Sequence, residues 1–372
     1  MELTHPRSFC IRILGLMLST TVAASGAALA NGQSFIGPLK TITPISTTIP
    51  SNGDVNPYGV AQVPVTKGKL VKGRFLISNF NNGANLQGTG TTIVQIAPNG
   101  TFGLFAQINP SKVSCPGGVG LTTALVALSS GYVIVGSLPT KNGMSATAKA
   151  GCLIVLNWVG GVVETFSGGN INGPWDMTAL DAGPLAALFV TNVLNGTVGG
   201  NGNNVNRGTV VRMLLFIPSN SAPVLIDSTV IGSGFPQRTD PAALVIGPTG
   251  VAYDDSTGIL YVADTLTNRI AWIPNALFRM NSANRGGTVF AGGKLNSPLG
   301  LALTPNHHLV AANGGDGNLV EINPATKTQV AVKLVDKTPP PPLGAGSLFG
   351  LATVSNGVYF VDDVANNFQF LH

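Results

Sequence analysis

Pro248-Thr249-Gly250-Val251-Ala252, Pro298-Leu299-Gly300-Leu301-Ala302 and Leu348-Phe349-Gly350-Leu351-Ala352 are one phrase written three times, fifty residues apart. Each is followed by a turn and a second apolar run that ends in Asp or Asn: Leu260–Asp264, Leu309–Asn313 and Val358–Asp362. A period of this size, filled by short strands and turn residues, predicts a β-propeller. More diverged copies run upstream with longer loops between them. Pro57-Tyr58-Gly59-Val60-Ala61 leads to Phe75–Asn79, Gly118-Val119-Gly120-Leu121-Thr122 to Val133–Ser137, and Pro174-Trp175-Asp176-Met177-Thr178 to Leu188–Asn192. Six copies predict six blades.

A third strand follows in every copy: Thr92–Ala97, Leu153–Asn157, Thr209–Ile217, Arg269–Ile273, Leu319–Asn323 and Phe368–Leu371. The last copy stops at His372, so its blade lacks an outer strand. The strand-like segment Leu39–Ile49 is predicted to supply it beside Phe368–Leu371, which joins the chain ends in one sheet and removes an open seam. One all-β domain over residues 31–372 is the expected organisation.

Residues 1–30 read as a secretory signal. Arg7 and Arg12 give the basic start, the run from Ile13 to about Val22 the apolar centre, and Ala28-Leu29-Ala30 the cleavage site. No later uncharged apolar stretch reaches the ~20 residues of a spanning helix, so the mature chain is expected to be secreted or periplasmic, without a transmembrane segment. Charged residues make up 9% of the chain and Gly numbers 48, which suits a turn-rich β-protein. The net charge of +5 is carried by basic residues read as scattered singly, so no nucleic-acid partner is expected.

Cys10 leaves with the signal, which leaves Cys115 and Cys152. With blade strands lettered A to D from the axis outward, Cys115 precedes A of blade two and Cys152 opens its C. Strands A and C start at the same end of a blade, so a disulfide between the two is predicted in an oxidising compartment.

The stretch Gly258-Ile259-Leu260-Tyr261-Val262-Ala263-Asp264-Thr265-Leu266-Thr267-Asn268-Arg269-Ile270 resembles the NHL-repeat family of propellers, whose phrase reads roughly L-Y-V-A-D-x-x-N-x-R-I. Blade four matches with Asn268 one place off. Blades five and six match in part and lack the Arg. The resemblance implies the fold and leaves activity open, because such propellers include enzymes, binding modules and scaffolds.

Enzymes of similar outline set the comparison for chemistry. Zinc lyases of this shape need His from several blades, whereas here only His307, His308 and His372 follow the signal, the first two adjacent in a turn and expected to be solvated. The His, acid and cationic set of quinone-dependent sugar dehydrogenases is not visible. Calcium lactonases use Glu, Asn and Asp as hard oxygen donors. Glu164 and Glu321 fall in outer strands, leaving Asn79, Asn192, Asp264, Asn313 and Asp362 at matched strand ends, where turn capping is the competing reading. Asp176 stands where other blades have Gly.

Long segments at Asn81–Thr91, Leu138–Ala150, Asn192–Arg207, Ser219–Ile246 and Pro339–Pro342 should all lie on one face, with tight hairpins on the other. Loops on a rigid scaffold carry function, so the loop-rich face is the expected working surface. Tyr58, Trp175 and Phe349 follow the opening residue of three repeats and are expected to form an apolar lip there, with Asp176 beside them, packing between blades being the competing reading. Two functions follow. One is a module that binds a small-molecule, glycan or protein ligand. The alternative is a metal-assisted hydrolase or lyase with an Asp/Asn-lined channel. Residue types alone name no catalytic group, cofactor or metal.

Overall fold

The computed structural model describes residues 32–372; the expected signal peptide lies outside them. Six small antiparallel sheets form a ring. Blade one is Val55–Gln62, Phe75–Asn81, Thr92–Ile96 and Phe102–Gln107, and blade two is Leu121–Ala127, Val133–Ser137, Cys152–Leu156 and Val162–Ser167. Blade three has five strands, Pro174–Asp181, Leu185–Asn192, Val205–Phe216, Val224–Asp240 and Leu244–Ile246. Blade four is Pro248–Asp254, Ile259–Asp264, Arg269–Ile273 and Gly287–Ala291, and blade five is Pro298–Leu303, Leu309–Asn313, Asn318–Asn323 and Thr328–Leu334. Blade six takes Leu348–Val354, Gly357–Asp362 and Asn367–Leu371 from the C-terminus and Ile42–Thr47 from the N-terminus, with Ile42 opposite Leu371 and Thr47 opposite Asn367. The closure expected from the missing strand is present.

Each A strand packs beside the A strand of the next blade, and that of blade six beside that of blade one. B strands are buried on both faces, which is why they read as continuous apolar runs rather than alternating ones. The repeated phrase is a bulge: register with strand B shifts after Pro57, Pro174, Pro248, Pro298 and Leu348. Such a bulge re-aims the residue that follows. Two places on, four of these five have Gly and Pro174 is followed by Asp176; the Gly is needed because blades touch there. A Cβ on Gly350 would strike the Tyr58 carbonyl, and one on Gly300 the Phe349 carbonyl.

Blade two corrects the sequence reading. Its A strand starts at Leu121, which pairs with Ser137 as Pro174 pairs with Asn192. Leu138 N–H donates to the Gly120 carbonyl as Val193 N–H donates to that of Gly173. Gly120 is therefore the residue before the phrase, and Thr122, Thr123 and Ala124 fill the bulge with one residue more than elsewhere.

Two expectations about the faces also change. Ser219–Ile246 is mostly strand rather than loop: Val205–Phe216 and Val224–Asp240 form a long ribbon, and Leu244–Ile246 folds back on its end. The opposite face is not uniformly short either, since the A to B connection of blade one runs from Val63 to Arg74 and pairs Lys67 with Leu70.

Candidate functional site

The mouth of the channel on the loop-rich face is shut. Tyr58, Trp175 and Phe349 are 2%, 3% and 2% exposed, so they form a buried plug rather than an open lip. Tyr58 stacks on Phe349 at 3.9 Å and on Phe80 at 4.5 Å between ring centroids, and Trp175 lies 6.4 Å from Phe349. Ala243–Ile246 packs into the same apolar cluster as these rings, and Trp175 donates its indole N–H to the Val245 carbonyl at 3.0 Å. The cap is held in turn. Asp240 Oδ1 accepts from the N–H groups of Ala242 and Ala243, and Gln87 donates from blade one to the Pro241 carbonyl. Burial raises the Tyr58 hydroxyl well above the ordinary tyrosine pKa, helped by the charges of Asp363 and Asp240.

Below the plug the channel opens the other way. A cavity of about 330 Å³ is lined by the second halves of all six A strands, ending at Gln62, Leu128, Asp181, Tyr253, Leu303 and Thr353 near the A to B turns. An A strand is the inner edge of its blade, so its unpaired backbone groups face the axis. Asp176 lines this pocket at 8% exposure. Its Oδ1 accepts from Met177 N–H at 2.8 Å and its Oδ2 from Val251 N–H of the neighbouring blade at 3.1 Å. Desolvation outweighs these two bonds and pushes its pKa up to about 8. Thr123, in the adjacent blade two, has a buried hydroxyl with no protein partner and also lines the pocket. Asp181 sits at the rim, where Oδ2 accepts from Ser129 N–H and Oδ1 from Gly183 N–H.

The strand-end Asp and Asn residues do not face the pocket. Asn79 donates to the Thr48 carbonyl, Asn192 accepts from Asn172 N–H, and Asn313 accepts from Asn296 N–H. Asp264 holds Arg269 and Arg285, and Asp362 accepts from Ala365 N–H and Gln369. Turn capping and strand pinning account for all five. Among the described residues no three His, Cys, Asp or Glu side chains gather as a metal site.

His308 departs from its expected solvated turn. It is buried, and its Nδ1 lies 2.7 Å from Glu321 Oε1. Glu321 also accepts from Phe35 N–H, Ile36 N–H and the Ser34 hydroxyl, so this third-strand carboxylate anchors the N-terminal segment. His307 is half exposed, 3.3 Å from Asp254. Cys115 and Cys152 form the expected disulfide, with Cα atoms 5.4 Å apart.

Sequence reasoning found Asp176 because it breaks the repeat. It missed Thr123 because the phrase in blade two was set three residues early. It also passed over the loop Val63–Arg74, where Lys67, Lys69, Lys72 and Arg74 stand within eight positions, so the basic residues are not all scattered.

No family model matches the chain, and no curated protein matches it in sequence. Similar solved structures include a candidate gluconolactonase at 15% identity, covering 91% of this chain and 94% of that one, with a TM-score of 0.54. A luciferin-regenerating enzyme matches at 11% identity, 89% and 94% coverage and a TM-score of 0.53. Virginiamycin B lyase from Staphylococcus aureus matches at 15%, 89% and 98%, with a TM-score of 0.50. At these identities the likeness is one of fold: the chain is a six-bladed β-propeller.

Proposed function

We propose that this chain is a secreted or periplasmic NHL-like propeller that binds a small ligand in its axial pocket, entered from the hairpin face. One observation carries the reading. The channel is sealed at one end by Tyr58, Trp175 and Phe349 under Ala243–Ile246, and open at the other above Asp176. The aromatic residues then serve as the floor and Asp176 as the polar anchor. Asp176 and Asp181 are the ionisable carboxyl groups of the lining, and no Lys, Arg or His joins them. With Asp176 held protonated up to about pH 8, the pocket suits a neutral polar molecule and offers an anion no cationic side chain. The disulfide supports an oxidising compartment, and among the described residues no helix is long and apolar enough to cross a membrane. Signal cleavage after Ala30, with residues 31–372 as one domain, completes the reading.

A second reading rests on the Asp176 carboxyl. A group pushed to about 8 in a closed-ended pocket is suited to proton transfer near neutral pH, and the three similar structures carry the names of enzymes. The hard-oxygen set of a metal-assisted reaction is not assembled around it, so the acid–base form is the enzymatic alternative. Calorimetric screening of neutral polyols, lactones and amines against the wild type and Asp176→Asn separates the readings. Binding without turnover, lost in the variant, supports the binding module; turnover with an inflection near pH 8, lost in the variant, supports the enzyme. Binding that survives both Asp176→Asn and Thr123→Val refutes the pocket.

A further inference from the structure

A second concavity lies on the hairpin face beside the axial pocket, between blades one, two and three. It has a volume of about 520 Å³, and its walls include Tyr132, Trp158, Pro184, Phe216 and Pro218, with Lys67 at one side. Phe216 is 46% exposed, whereas Tyr132 is buried and donates its hydroxyl to the Ser221 carbonyl. The groove is thus an apolar slot with one exposed ring rather than a flat aromatic platform.

The blade-one loop presents Lys67 to it. Lys67 Nζ sits 3.8 Å from the centre of the Trp158 ring and donates to the Ser130 carbonyl at 2.8 Å. Lys69 N–H donates to the Trp158 carbonyl, and Gln95 clamps the loop by accepting from Val71 N–H and donating to the Lys69 carbonyl. Gly68 is required here, with φ of 57° and a missing Cβ that would run into Trp158. The loop is therefore fixed in place before any partner arrives. Among the described residues no carboxylate forms an ion pair with Lys67, Lys69, Lys72 or Arg74, although Arg212, Arg238, Arg269 and Arg285 each have one. Lys67 stands in the wall of the slot, and the same loop carries Lys69, whose Nζ donates to the Phe105 carbonyl at 3.4 Å, together with Lys72 and Arg74; an apolar slot continued by an unneutralised basic loop is complementary to negative charge carried on an apolar chain.

We propose that this groove docks an acidic peptide segment of a partner protein, with an apolar side chain seated against Phe216 and Pro218 and its carboxylates directed to the basic loop, at Lys67 in the slot and at Lys69 and Lys72 outside it. A sugar would need an open aromatic face, and Trp158 already gives one of its faces to Lys67. A preorganised loop lowers the ordering cost of binding, so the charge contacts are expected to count.

The test is selection of a random twelve-residue display library on the full oxidised chain, followed by titration of the selected synthetic peptides. Enriched sequences are expected to combine Asp or Glu with an aromatic or aliphatic residue. Their affinity should fall by about tenfold or more in Lys69→Glu/Lys72→Glu, which leaves the Lys67–Trp158 contact intact, and similarly in Phe216→Ser. Thermal melts matching the wild type establish that both variants fold. Enrichment without acidic residues, or unchanged affinity in both folded variants, overturns the proposal. So does preferential binding of polyuronate, single-stranded RNA or anionic vesicles that the selected peptides fail to displace.

Discussion

Asp176 replaces the one residue type that the blade contacts otherwise favour, and its protonation should be readable in stability. Its folded pKa of about 8 lies above the ordinary carboxyl value of 3.8, so the folded state holds the proton more tightly. That contribution is fully present below about pH 4 and is lost as pH rises through 8. Melting temperature should therefore fall across that window in the wild type and show a flatter profile in Asp176→Asn. Equal slopes in the two proteins would contradict the burial argument. Arg212 is the opposite case, a buried cation with both terminal guanidinium nitrogens hydrogen-bonded. Its guanidinium donates to the carbonyls of Leu277 and Arg279, to Asp227 and to the Thr229 hydroxyl, tying blade three to the loop after Arg269–Ile273. Arg212→Ala strands these acceptors and is expected to cost on the order of 3 kcal/mol in chemical denaturation.

At the scale of elements, the cap and the disulfide organise the loop-rich face. The strand Leu244–Ile246 covers the axial rings only because the ribbon before it extends past the blade and turns at Asp240. Phe349→Ala removes a ring packed on Tyr58 and should cost about 3–5 kcal/mol by denaturation, with the axial pocket still able to bind. Loss of ligand binding at a temperature where the variant remains folded would show that the floor does more than seal. Cys115 and Cys152 close a loop of 37 residues, so the double Ser variant is expected to lose about 4 kcal/mol in the chain-entropy model. A stability unchanged under reduction would place that loop's order in its own packing instead.

For the whole molecule, the ring is closed twice near the same seam. Ile42–Thr47 completes blade six, and a few residues earlier Phe35 and Ile36 are buried among Val310, Leu348 and Phe360, at the junction of blades five and six. Glu321 holds that insertion through three donors from residues 34–36. Glu321→Ala is expected to release residues 32–37 to proteolysis and lower the melting temperature, while trimming stops before the paired strand at Ile42. Protection of the segment in the variant would show that Phe35 and Ile36 hold it by apolar burial alone.

The fold was legible because a propeller repeats its local rules. The bulged phrase and the two-sided burial of B strands recur in each blade, so sequence alone determined six blades, the strand that closes them and the Asp that breaks the pattern. The disulfide was legible too, since strand polarity within a blade puts Cys115 and Cys152 at one end. Tertiary structure decided which end of the channel is open. Tyr58, Trp175 and Phe349 come from separate blades and meet only when the ring closes, and the segment that covers them belongs to an extended ribbon with no repeat to align against. A ring fixes the position of each residue along its own blade, but whether an aromatic side chain is a lip or a floor depends on what lies above it, which is set by contacts far apart in the chain.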